Sequence, residues 1–450
     1  MPGSLLDHAV TVSAGLELDK VPPEALRQAG YVIADTVGVS RAGARQPEMR
    51  QLLELSRAEG TIGERAADAA GGVASGPQRT ATVLSTPTSA STPAQAAFLN
   101  ATAGSFLELD EGMRPTGHPA MQIVPAALAV AESTGASGTE LLRAVLAGYE
   151  ATSRLFRAFR LRYPVHPHGH LGAIGGAVAV ALLEGTDPVR AARIAGTTPI
   201  LSVWDACYEG ATARNTWMGL AAQSAVRASM LDRAGFAGSA TALEVAFGQI
   251  AGELVDREAL ESPLDYGRLG IRNNYFKLHS ACALSHAALD AMQQLRLPAA
   301  GEIESIVVET VSNNMKLDRQ AQPNDLSARF SLPYAVATAA VVGRTDPEAF
   351  HYRPDVAELA RRVEVRTADD LEASWPESSP ARVTVLTAAG VETAQVQNPH
   401  GHHAEPVTET ELRAKFEALL DDRHHAAAWW ERLTGLGEVE DCSTLFGSAR

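Results

Sequence analysis

A change of periodicity near residue 275 constrains this chain more than any other feature. Before it, apolar residues recur at helical spacing in an Ala- and Leu-rich background; after it, short alternating runs of β-branched residues set in. The clearest helix opens on a capping box, Ser137 with Glu140 three residues on. Leu141, Val145 and Tyr149, with Leu142 and Leu146, follow as one apolar stripe. Thr92-Pro93 starts another helix, because proline suits the first helical position. A third runs from Trp217 to Leu231 and stops before Gly235. The run AIGGAVAVALLEG (173–185) is apolar all round and predicts a fully buried helix, its glycines permitting close backbone approach. Later, 303–311, 363–366 and 382–386 predict strands, with 391–396 as a hairpin partner across Gly390. A helix is expected from Leu332-Pro333, and 409–420 is helical again. Residues 60–92, rich in Gly, Ala, Ser and Thr, predict a long surface loop with one short strand at 81–84.

The expected fold is mainly α with an α+β lid. A large all-helical domain is built from both chain ends (1–272 and 408–450), with a smaller α/β domain (273–407) inserted. At 450 residues the chain exceeds one ordinary core, and a cleft between two such domains is a usual small-molecule site.

Composition narrows the function. A net charge of -15 without a basic run argues against nucleic acid. The N-terminus lacks the basic and apolar regions of a secretory signal, and no stretch reaches the ~18 apolar residues of a membrane span. Cys207, Cys282 and Cys442 are isolated, which argues against a disulfide framework or a structural zinc. The protein is expected to be cytoplasmic. Only four of its 38 basic residues are lysines (Lys20, Lys277, Lys316, Lys415). Where Arg is so strongly preferred, a persisting Lys draws attention to its compact, tunable ammonium.

Four segments can carry chemistry. FLELDEGMRPTGHP (106–119) gathers Glu108, Asp110, Glu111 and His118, either as a solvated helix exit or as a carboxylate–imidazole pair for proton transfer. YPVHPHGHLG (163–172) sets three histidines at alternate positions before the buried helix. That suits an anion at a helix N-terminus, a metal site, or a structural cluster. Metal is the weakest of these, since HxH metallohydrolases place the pair on a barrel strand and the neighbours here are helical. Arg214 opens a helix, where a cation opposes the dipole. In NNYFKLHSACALSHAALDA (273–291), Lys277, Cys282 and His286 fall within two turns, and His286 and Asp290 share a helix face. No GxGxxG, P-loop or GxSxG is present.

At these segments the chain resembles the MmgE/PrpD family, which includes 2-methylcitrate dehydratase, cis-aconitate decarboxylase and iminodisuccinate epimerase. The stretches VPPEALRQAGYVIADTVGVSRAGA, AAFLNATAGSFLELDEG with HPAMQIVPAALAVAE, LLRAVLAGYEATSRL, HPHGHLGAIGGAVAVALLEG, RNTWMGLAAQSAVRASMLDRAGFAG, FKLHSACALSHAALDA, ARFSLPYAVA and ARVTVL with NPHGHHAEPVTETELRAKF follow in family order. The resemblance implies a large helical domain with a smaller α/β lid, a homodimer, and no metal or other cofactor. It implies His118, His166 and Lys277 as catalytic residues, with Glu108 or Asp110 orienting an imidazole. Arg214, Gly112, Cys282 and His286 would surround the substrate. The chain departs from the family pattern in Glu108 for Asp, Gly112 for Thr, Arg214 for Lys, and Cys282 where the decarboxylase has His. Arg cannot act as a base, so Arg214 is expected to clamp a carboxylate.

The expected activity is a lyase reaction, dehydration of a small hydroxylated di- or tricarboxylate through proton transfer at carbon next to a carboxylate. Epimerisation or decarboxylation of a related acid uses the same proton step. An inactive ligand-binding relative is the non-enzyme alternative.

Overall fold

In a computed structural model, which describes residues 4–64, 80–86, 88–114, 117–297, 299–421 and 423–446, the apolar stripes become packed helices. The protein is mainly α with a small α/β part. The expected capping box is present: Ser137 Oγ accepts from Glu140 N–H, and helix Gly138–Ala158 follows. The all-apolar run forms Leu171–Glu184, buried from Leu171 through Ala181. It packs between Gly138–Ala158, Pro119–Thr134 and Thr216–Arg233. Its glycines set the spacing. A Cβ on Gly148 would stand 2.4 Å from the Gly175 carbonyl oxygen, and one on Gly175 2.3 Å from that of Gly148.

The chain's far end returns to this core. Leu412, Phe416, Trp429, Trp430 and Leu433 are buried within it, with Glu409–Leu419 against Pro23–Gly43. A second core surrounds a four-stranded sheet in the order Gly390–Val396, Ala381–Thr387, Ile303–Thr310, Val363–Thr367. The first two pairings are antiparallel and the last is parallel. Alternate residues Ile306, Val308, Val383 and Val385 are buried in this core, with helix His286–Gln294 against Ala381–Thr387 and Leu332–Val342 against Val363–Thr367. Trp204 and Cys207 also enter this second core, from well before the change of periodicity.

Residues 60–92 are not simply a loop. Ile62–Glu64, Ala81–Thr82 and Ser89–Ser91 form a small antiparallel sheet, while 65–79 lie outside the described residues. Two further ribbons, too short to show alternation in sequence, pair Gly112–Met113 with Asn274–Tyr275 and Phe159–Leu161 with Gly252–Leu254. Among the described residues no helix is long and apolar enough to cross a membrane.

The glycine crossing yields a first test. Gly148→Val should destabilise the fold by about 3 kcal/mol, since the facing backbone cannot yield as a side chain would. Urea denaturation of the variant against the parent measures it.

Candidate active site

Residues 108–114, 117–118, 163–168 and 275–284 meet at a cavity of about 670 Å³, closed by Lys316, Phe330 and Trp375. After helix Pro93–Gly104 the chain turns through Glu108 at φ 48°, a left-handed conformation uncommon for any residue but glycine. Short Asp or Asn tolerates that conformation better than Glu. The turn is pinned through its carbonyls. Ser280 Oγ donates to Leu107 O at 2.6 Å, Lys415 Nζ donates to Leu109 O at 2.9 Å, and His118 Nδ1 lies 2.9 Å from Glu111 O. The Gly112–Met113 ribbon then carries Asn274–Tyr275, and with it Lys277, across the turn. Gly112 permits this approach, as a Cβ there would stand 2.3 Å from the Tyr275 hydroxyl.

Four charges interlock at and behind the cavity wall. Lys277 Nζ donates to Glu108 Oε2 and Asp110 Oδ1, each at 3.1 Å, and Arg214 Nη1 donates to Glu108 Oε1 at 2.6 Å. All four residues are buried. Burial is the largest single effect and opposes ionisation of both acids, but Lys277 together with Arg214 at Glu108 and with His118 at Asp110 outweighs it. Both carboxyls are held below their ordinary range. Lys277 is in turn held above the usual ammonium range, because Asp110 and Glu108 overcome its own desolvation. Neighbouring Glu111 has no cation. Burial raises it to about 8, and it accepts from Tyr149 Oη and Ala120 N–H.

This network sets the imidazoles. Nδ1 of His118 faces Glu111 O and lies 3.0 Å from Asp110 Oδ2, both acceptors, so Nδ1 carries the hydrogen. In the neutral ring Nε2 then holds the lone pair, and the ring lines the cavity. His168 is the reverse. Arg214 Nη2 lies 3.1 Å from its Nδ1 and can only donate, which leaves His168 with an Nε2–H. Burial and then His166 and Arg214 push His168 well below the ordinary imidazole range. Burial and Arg214 do the same to His166, whose ring packs 4.2 Å from His168 and 4.4 Å from Trp204. Gln122 ties the two histidine segments together, donating to His118 O at 3.0 Å and accepting from Gly169 N–H at 3.2 Å.

The residues singled out from sequence divide. Glu108, His118, His166 and Cys282 line the cavity, the Cys282 thiol pushed up to about 11 by burial. Asp110, Arg214 and Lys277 lie behind its wall. Arg214 is 1% exposed and committed to Glu108, Asn215 and His168, with Phe330 and Trp217 against its guanidinium. Gly112 acts through backbone approach. Lys277 and Cys282 lie in extended chain and a turn, not on a helix. His286 contacts Ala281 O at 3.1 Å, away from the cavity, and Asp290 pairs instead with His279 Nε2 at 2.8 Å. At the helix N-terminus after the third histidine, two N–H groups are already taken by side chains. His170 Nδ1 accepts from Leu171 N–H, its Nε2 lies 2.8 Å from His166 O, and Gln122 takes Gly169 N–H.

Sequence reasoning missed the cations that do face the cavity. Arg114 lies 5.6 Å from the Tyr275 ring and 5.9 Å from that of Trp375, its buried Nε without a partner and its pKa lowered by burial. Lys316 bonds Asn313 Oδ1 at 2.6 Å, stands 5.9 Å from the Trp204 ring, and is likewise lowered by burial. Neither pairs with a carboxylate among the described residues. The scarcity of lysine was the available signal. Lys277, Lys316 and Lys415 all stand at or behind the site, whereas Lys20 is exposed beside Glu17.

Asp110, His118 and His168 bring one ligand atom each within 4.8 Å of one another, a spacing a metal ion could bridge. Lys277 and Arg214 already occupy Asp110 and His168, so a divalent cation would meet two fixed positive charges there.

Two pH-linked outcomes follow. Lys277→Met should cost about 3–5 kcal/mol at neutral pH by leaving buried carboxylates unpaired. The stabilisation from Glu108 and Asp110 is present above the ordinary carboxylate pKa and lost as pH falls through their depressed folded values, so the variant's deficit should shrink in acid. Glu111 has the opposite sign. Its folded pKa is raised, so wild-type stability falls as pH rises from 4.5 towards about 8, and Glu111→Gln should gain on wild type across that window. Urea denaturation across pH reads both.

The MmgE/PrpD N-terminal domain pattern matches residues 9–258 and the C-terminal domain pattern residues 279–432. Cis-aconitate decarboxylase of Mus musculus is 22% identical over 96% of this chain and 90% of its own length. That of Homo sapiens is 25% identical over 78% of each. That of Aspergillus terreus is 23% identical over 96% of this chain and 93% of its own length. With both patterns matched along most of its length, this chain belongs to the MmgE/PrpD family.

Proposed function

We propose that this protein is a metal-independent lyase that dehydrates a small hydroxylated di- or tricarboxylate. The observation that carries the reading is the His118 ring, held with Nδ1 inward and Nε2 at a cavity flanked by two cations that have no acid partner among the described residues. Arg114 stands on the His118 side through Tyr275, and Lys316 on the His166 side through Trp204. Each takes a substrate carboxylate. His118 Nε2 removes the proton from carbon next to one carboxylate, and the enediolate-like charge is stabilised by the cation and the His168 Nε2–H. The carbon–oxygen bond then breaks, the electron pair forms the double bond, and the proton on His118 goes to the departing hydroxyl. Asp110 balances the imidazolium meanwhile, and neutral His166 orients the acid beside it.

Decarboxylation is the second reading, favoured by the cis-aconitate decarboxylases that align over most of their length. There the carbon–carbon bond to a carboxylate breaks, carbon dioxide leaves, and His118, having first taken a proton on Nε2 from solvent, delivers it to the carbon that keeps the electron pair. The same reading takes the enzyme as homodimeric and cofactor-independent, as the family resemblance implies. It takes it as cytoplasmic, which suits three free, buried thiols.

A panel of citrate, methylcitrate, aconitate and substituted succinates in heavy water, followed by proton NMR, separates these outcomes. Dehydration gives a new alkene signal without carbon dioxide, and decarboxylation releases carbon dioxide without creating an alkene, aconitate keeping the one it brings. Deuterium uptake alone indicates epimerisation, and silence across the panel overturns the reaction class. With the responding acid, His118→Ala should lower kcat/KM by ~10²–10⁴-fold. Arg114→Met should raise KM by roughly 10- to 100-fold, as expected for losing a charged hydrogen bond of about 1.5–3 kcal/mol. Steady-state kinetics checks both.

A further inference from the structure

The cavity is too large and too apolar for its polar end alone. Glu108, His118, His166 and His168, with Arg114 and Lys316, account for one side. Beyond them the wall is Met113, Phe156, Phe159, Leu161, Val165 and Val255. That second part has a definite origin. Helix Gly138–Ala158 ends at the ribbon of Phe159–Leu161 with Gly252–Leu254, and Val255 N–H closes back on Ala158 O at 2.8 Å. Phe156 is locked in place by Gly117, where a Cβ would stand 2.6 Å from its ring. Val255 is 43% exposed, so the arm leads from the histidines towards solvent.

At about 670 Å³ the cavity falls in the range of roughly 300–1,000 Å³ that takes drug-sized ligands. A citrate-sized acid would leave the arm to water against apolar side chains, an arrangement the hydrophobic effect disfavours.

We propose that the substrate carries an apolar substituent of several carbons besides its carboxylates, and that the ribbon arm of Phe159, Leu161 and Val255 seats it. This rests on the carboxylate reading above and names the substrate class within it. The rival occupant is an anionic tail, because Arg157, its buried Nε unpartnered, and Arg160, beside Glu253 at 3.4 Å, also border the arm.

Titration calorimetry of methyl-, propyl- and pentylsuccinate, with a carboxybutyl analogue, tests the arm. Affinity should rise by about fourfold per methylene, on the order of a hundredfold from methyl to pentyl. In Val255→Trp, a substitution at a partly exposed position, that dependence on chain length should flatten. Equal affinities along the series, with methylsuccinate still bound, would overturn the arm while the carboxylate reading stands. Tighter binding of the carboxybutyl acid than of pentylsuccinate would overturn an apolar occupant in favour of an anionic one. Binding of none of the acids would overturn the carboxylate reading, and the arm with it.

Discussion

Two carboxylates and two cations, shut away from water, hold this site together. Glu108 lies between Arg214 and Lys277, and Lys277 reaches on to Asp110. No member could remain charged there alone, because an isolated buried ion costs several kcal/mol. Together they fix the side chains that present the histidines. Arg214, spent on Glu108, still offers a donor to His168, while Asp110, spent on Lys277, keeps an oxygen near His118. The network thus turns two chemically identical rings into opposites, one a base and one a donor.

The same network explains why distant parts of the chain must fold together. Glu108 follows the fourth long helix in a strained turn, Arg214 precedes the helix Thr216–Arg233, and Lys277 enters where the second core begins. The returning C-terminal helix contributes Lys415, which binds Leu109 O and pairs with buried Asp35 at 2.7 Å. A turn that costs backbone energy persists only when its surroundings over-determine it. Here Ser280, Lys415 and the Tyr275 ribbon do so from three directions.

What was legible in the sequence is what local physics decides. Ser137 with Glu140 had to cap a helix, the apolar run after His170 had to be buried, and the alternation from Ile303 had to make a strand. The three-stranded sheet near Ser89, the ribbon at Phe159 and the parallel pairing of Val363–Thr367 were not legible, since short strands take their partners from far along the chain. In the site, His118 and Lys277 stood out by residue type and resemblance. Arg214 read as a free clamp because its partner lies 106 residues away, and only the fold shows it spent on Glu108. Arg114 was one arginine among many. His286 and Asp290 had helical spacing, yet His279 takes the carboxylate because the chain before the helix folds back over it.

The substitutions relative to the family pattern now have a physical place. Glu108 makes both of its ion pairs with the longer side chain that its left-handed backbone must accommodate, and Arg214 supplies the fork that reaches Glu108 and His168 at once. Cys282, a further departure, stands on the cavity wall itself. The chemistry then turns on which ring nitrogens carry hydrogen. Long-range proton–nitrogen NMR of protein carrying nitrogen-15 histidine reads them directly at neutral pH. The expected result is a hydrogen on Nδ1 of His118 and on Nε2 of His168; a neutral His118 ring bearing its hydrogen on Nε2, or a His168 bearing it on Nδ1, would contradict this arrangement.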